Sequence, residues 1–220
     1  MKLRILLVLV AATVGIGSAS AYAATLGVGS WHLWTGSQTL TKSSCTVTGS
    51  ASTVDTYVSE ASPNSSFGGS ATALVRADLG NRNWTLVRFD LSTCALPTTA
   101  GADSATLKLV VKTVAAGGRT LTLTPVLATW VGATLTAVQA FGLPFGSNAT
   151  TTFPTGTTNG ATLSVPVTID IDSLIKSSTS SYGWRISDEG STGTANTTIF
   201  NTVEATTAGL RPQLVINYEK

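Results

Sequence analysis

The chain has 220 residues, enough for one domain or two small ones. Charged residues are 11% and apolar residues 43%, while Thr and Ser together fill 62 positions, a balance that excludes intrinsic disorder and a heptad coiled coil. Thr, Val and Gly in the place of Glu, Lys and Ala predict strands and turns, so the expected class is all-β.

Residues 1–23 read as a secretory signal. Lys2 and Arg4 form a cationic start, residues 5–17 are apolar apart from Thr13, and Ala21-Tyr22-Ala23 supplies the small-x-small cleavage pattern. The alternative is an uncleaved N-terminal anchor, although the run falls short of the roughly 20 apolar residues that span a bilayer. No later stretch is apolar enough for a membrane helix, so the expected mature protein is secreted and extracellular, with no membrane span. Cleavage removes two of the 13 basic residues and leaves 11 against 11 acidic ones, formally zero. A basic face for nucleic acid is therefore not expected.

Residues 24–44 form a Gly-, Ser- and Thr-rich leader that carries Trp31, His32 and Trp34, either a tether or a strand laid on the domain. From Cys45 onwards strand-like runs alternate with turns. Strands are predicted at 54–59, 73–79, 84–91, 104–114, 119–127, 162–171, 182–187, 198–203 and 213–218. The turns include 63–69 and Gly80-Asn81-Arg82, while Gly117-Gly118 suits a hairpin. Residues 172–176 carry one helical turn, capped by Asp172 or Ser173. Residues 131–161 read as an extended loop with room for one irregular strand.

Period-two alternation without intervening helices means antiparallel sheets packed face to face. The expected architecture is a β-sandwich of jelly-roll type with about nine strands over residues 45–220. Cys45 and Cys94 are the two cysteines. In an oxidising compartment they predict one disulfide, with two buried thiols as the alternative. Trp184, which alternates with Ile186, and Trp130, at the end of an apolar run, are expected in the core.

Several segments are similar to a known family. Asp55-Thr-Tyr-Val58, Pro63-Asn64, Phe67-Gly68-Gly69 and Leu74-Val75-Arg76 resemble the opening of the DNRLRE domain, also called the family-96 carbohydrate-binding module. Leu86-Val-Arg-Phe-Asp-Leu91, Leu96-Pro97 and Ser104-Ala-Thr-Leu-Lys-Leu109 resemble its Arg-Phe-Asp strand, Leu-Pro turn and following strand. Trp130 with Thr134-Leu-Thr136, then Ile199-Phe200, Glu204 and Arg211-Pro-Gln-Leu-Val-Ile-Asn-Tyr218, resemble its later segments. The resemblance spans residues 54–218, with two departures: Val131-Gly132 follows Trp130 where the family often has an acidic residue, and the naming hexapeptide is absent. It implies a secreted jelly roll that binds polysaccharide, in some members an acidic one such as alginate.

Strand parity supplies the candidate site. If Val87, Phe89 and Leu91 face inwards, Trp84 and Arg88 face outwards, and the same alternation turns Arg76 and Asp78 outwards. One hairpin would then display Arg76, Asp78, Trp84 and Arg88 on a single face, with Asn81 and Arg82 at its tip. An indole stacks on sugar C–H patches and guanidinium groups pair with uronate carboxylates. The plainer alternative has Trp84 under a loop and the arginines paired with Asp78 and Asp90. Asp55, Glu60 and Asn64, near one turn, are the candidate ligands of a structural calcium ion, and no other cofactor is expected. Asp170-Ile-Asp172 puts two carboxylates on one face at a strand end but reads as a helix-capping arrangement, no nucleophile elbow is present and a triad would have to use His32, so an enzyme is not expected. The expected function is a non-catalytic polysaccharide-binding module. The alternative is an extracellular matrix or cell-surface adhesion protein.

Overall fold

The structure is a computed structural model describing residues 41–96, 101–146, 151–177, 182–190 and 196–219. The expected signal and nearly all of the leader, with Trp31, His32 and Trp34, lie outside the described residues. In chain order the strands are β1 (Lys42–Thr48), β2 (Thr53–Ser59), β3 (Thr72–Val75), β4 (Asn83–Phe89), β5 (Ala102–Thr113) and β6 (Thr120–Pro125). They continue as β7 (Thr151–Pro154), β8 (Thr162–Pro166), β9 (Trp184–Ser187), β10 (Thr198–Asn201) and β11 (Gln213–Glu219). Two helices, α1 (Ala137–Ala140) and α2 (Thr168–Ser177), interrupt them.

The strands form two antiparallel sheets. One runs β1-β11-β5-β10-β3, with β8 pairing Thr106 to Val110 in the middle of β5; the other runs β2-β4-β9-β6-β7. Within them β1-β11-β5-β8 faces β4-β9-β6-β7, the strand order of a jelly roll. The fold is an all-β sandwich as expected, with eleven strands. β1 begins at Lys42, so the sheet takes in the last residues assigned above to the leader.

Alternation explains the core. Leu107, Leu109 and Val111 of β5 and Leu214 and Ile216 of β11 face Val87 and Phe89 of β4, Leu121 and Leu123 of β6, and Trp184 and Ile186 of β9. All of these are at most 2% exposed. Burying each such side chain contributes about 1.5–3 kcal/mol. Cys45 on β1 and Cys94 beyond β4 form the expected disulfide, with Cα atoms 5.8 Å apart. It fastens one sheet to the other.

Three local expectations are corrected. Gly117 and Gly118 do not close a hairpin, because β5 and β6 lie in different sheets. Their positive φ angles of 79° and 73° carry the chain over the end of the sandwich instead. The predicted strand at 162–171 stops at Pro166, and helix follows from Thr168, four residues ahead of the predicted turn. Val167, Ile171 and Ile175 are four apart, so one helical face buries all three against the core. The long loop at 131–161 holds β7, a strand for which the sequence left room, and also the helix α1, which it did not suggest.

Candidate functional site

The outward face of the β2-β4-β9-β6-β7 sheet is where the sequence places its site, and parity holds there. On β4, Thr85, Val87 and Phe89 are buried on the inner side, while Trp84, Leu86 and Arg88 turn outwards. Residues 126–146 cover this face. A β-bridge between Val126 and Phe145 closes the covering segment, and α1, with its Thr136/Gln139 capping box, lies inside it. Val58, Leu86, Val126, Trp130, Leu135, Ala137 and Ala140 make a second core beneath it. Gly68 explains one motif: a Cβ there would collide with the carbonyl of Gly132, so the 63–69 turn meets the covering segment backbone to backbone.

Along one border of that second core, rings alternate with guanidinium groups. Arg82 lies over Phe141 at 5.2 Å. Phe141 meets the Trp84 ring edge-on at 4.3 Å. Arg185, from β9, stands 4.5 Å from the Trp84 centroid and 4.4 Å from that of Phe145. Carboxylates border the row. Glu60 accepts from Arg82 Nη2 at 2.8 Å and Nε at 3.1 Å, and from the Gly80 N–H at 2.7 Å. These bonds, Arg82's side chain first, hold the Glu60 carboxyl down at about 2. Glu189 accepts from Arg185 Nη2 at 3.3 Å and from the Ser187 hydroxyl at 2.6 Å. Burial pushes the Arg185 guanidinium below its usual value, with Glu189 opposing. Glu60, then Glu189, raise Arg82.

The six predicted ligand residues do not share one face. Because β3 and β4 belong to different sheets, linked by an Arg76–Asn83 bridge and by the Thr85 hydroxyl on the Leu74 carbonyl, the expected hairpin face does not exist. Arg76 turns to Asp78, with Nε to Oδ2 at 2.7 Å. Asp78 is buried and within electrostatic reach of Arg119, itself bidentate to Asp188 at 2.6 and 2.8 Å. Asn81 is exposed at the turn, its N–H on the Asp78 carbonyl. Arg88 lies over the Trp130 ring at 5.2 Å and donates to the Trp130 carbonyl. Only Arg82 and Trp84 meet in the row. Arg185, Phe141, Phe145 and Glu189 were missed; the alternation of Trp184 and Ile186 on β9 was the available signal for Arg185.

The calcium expectation is corrected too. Asp55 faces inwards on β2, Glu60 lies beyond the strand end with Arg82, and Asn64 is exposed in its turn. Five residues on an extended strand change face, so Asp55 and Glu60 diverge. Among the described residues no group of three or more His, Cys, Asp or Glu could hold a metal ion. Asp55 instead accepts the Val203 N–H at 2.8 Å, tying β2 to the chain leaving β10 in the other sheet. Burial, and then nearby Glu204, push its carboxyl up to about 7 against the pull of that N–H. Asp170, in the first turn of α2, takes the indole N–H of Trp184 at 2.6 Å. A separate open groove of about 460 Å³ lies at the sandwich end between Gly117, Gly118, Arg119, Pro154, Gly156 and Gly190. None of the predicted ligand residues lines it.

No protein-family model matches the chain, and no curated protein matches its sequence. Among the described residues no helix is long and apolar enough to cross a membrane.

Proposed function

We propose that the protein is a secreted, non-catalytic polysaccharide-binding module and that a glycan docks along the row from Arg82 to Phe145. The observation that carries this reading is the alternation itself: half-buried rings, interleaved with guanidinium groups and bordered by Glu60 and Glu189. Sugars need that pairing of apolar surface with a few fixed polar partners. The resemblance to the DNRLRE domain and the signal-like first 23 residues support it.

Affinity electrophoresis through gels containing single polysaccharides tests the reading. A retarded wild-type band, with Arg82→Ala and Phe141→Ala each weakening retardation severalfold, is the expected result. Trp84→Ala is a poorer probe, because its ring also packs against the second core and its loss lowers Tm as well. A second reading, an extracellular matrix or adhesion protein, draws on Leu127, Val131 and Val138, which are 55–63% exposed on the covering segment. Concentration-dependent self-association without glycan, alongside unretarded migration in every gel, would favour it.

A further inference from the structure

The geometry points to an uncharged ligand: we propose that this face selects a neutral, hydroxyl-rich polysaccharide over a uronate polymer. The inference rests on the reading of the row as the glycan site. A uronate carboxylate is recognised by a guanidinium whose donors are open to it. In the row each of the two guanidinium groups already holds a carboxylate. Arg82 gives Nε and Nη2 to Glu60, and Arg185 gives Nη2 to Glu189 and to the Thr124 hydroxyl. Arg88, outside the row, gives Nη1 to the Trp130 carbonyl and lies over the Trp130 ring. Two cations face two carboxylates, so the row presents no net positive charge.

An incoming carboxylate would sit beside a carboxylate already held by the same guanidinium, and the two like charges repel. Glu60 does not yield by taking a proton, since its carboxyl is held at about 2 and stays ionised at any ordinary pH. Its two bonds to Arg82 and two to backbone N–H groups fix it where it stands. For neutral sugars the same arrangement is favourable. The exposed Glu189 carboxylate accepts from one hydroxyl and Arg82 donates to another, with no charge to displace. Hydrogen bonds to charged groups are about twice as strong as neutral ones. The Glu189 side chain, 58% exposed, and that of Arg82, 37% exposed, are the groups within a ligand's reach.

The test uses the whole protein in gels of β-glucan, galactomannan or arabinoxylan, and of alginate or polygalacturonate, at low salt and at about 0.5 M NaCl, where surface charges are screened within a few Å. The expected result is retention by at least one neutral polymer, changed less than about twofold by salt. Glu189→Gln should weaken it about fivefold or more without moving Tm. The double variant Glu60→Gln/Glu189→Gln, which leaves Arg82 and Arg185 without carboxylate partners, should gain salt-sensitive retention by alginate. Wild-type retention by the acidic gels alone, abolished by salt and lost in Arg82→Ala, would overturn the inference while leaving the site in place. No retention in any gel, or retention indifferent to Arg82→Ala and Glu189→Gln, would overturn the site and the inference together.

Discussion

The two faces of the β2-β4-β9-β6-β7 sheet are both buried, yet they are filled by different chemistry. On the inner face Val87, Phe89, Leu121, Leu123, Trp184 and Ile186 pack against apolar side chains of the opposite sheet. On the outer face Leu86 and Val58 are just as buried, but around them Trp84, Phe141 and Phe145 are interleaved with Arg82 and Arg185, and Arg88 lies over Trp130. The difference follows from what covers each face. A second sheet supplies regular apolar side chains at a fixed spacing, whereas an irregular segment leaves gaps that long side chains fill with their stems while their heads stay near water. The first arrangement gives stability. The second keeps polar groups close to the surface, where a ligand can meet them.

That contrast can be broken by measurement. Phe89→Ala, in the inner core, should lose about 3–5 kcal/mol in denaturant unfolding. A loss no larger than that of an outer-face variant would remove the distinction. Reduction of the Cys45–Cys94 disulfide, or Cys45→Ala/Cys94→Ala, opens the link between the sheets and should cost about 4 kcal/mol in the chain-entropy model.

Asp55 tests the inner face in another way. Its folded carboxyl titrates at about 7 and the unfolded one at 3.8, so the folded state holds a proton that the unfolded chain releases between those values. Its contribution to stability is full below the unfolded value and is lost as pH rises through about 7. Asp55→Asn keeps an oxygen for the Val203 N–H and cannot ionise. The stability difference between the variant and wild type should therefore shift in the variant's favour by on the order of 3–4 kcal/mol from acid to about pH 8. A difference that is flat with pH would show that the carboxyl is not desolvated.

Outer-face effects are smaller. Arg185→Met removes the cation from between two rings while keeping an apolar stem, and should cost about 1–2 kcal/mol. Arg82→Ala, at a partly exposed ion pair, should change stability by less than about 1 kcal/mol while reducing glycan retention. A large stability loss there would make Arg82 part of the framework.

The alternation on β4 was legible because one residue in two must face a core, and Val87 and Phe89 could face nothing else. The disulfide was legible because the chain has two cysteines and no third to compete for either. The site was legible only in part. Nothing local shows that residues 126–146 fold back over the outer face, since their apolar side chains, Val126, Leu135 and Phe145, have neither strand nor helix period. Nor does local sequence distinguish a strand pair joined as a hairpin from one that crosses between sheets. Arg76 and Asp78 were therefore expected beside Trp84, and the chain instead pairs them with each other and brings Asp78 within reach of Arg119.

By itself the sequence determined the all-β class, the inward and outward sides of β4 and the identity of the cross-link, because each depends on the chemistry of near neighbours or on residue type alone. Only the tertiary structure decided which sheet each strand joins, which carboxylate holds each arginine and what covers Trp84. Those outcomes depend on contacts between residues tens of positions apart, such as Arg185 with Trp84 and Glu60 with Arg82, and local periodicity carries no information about them.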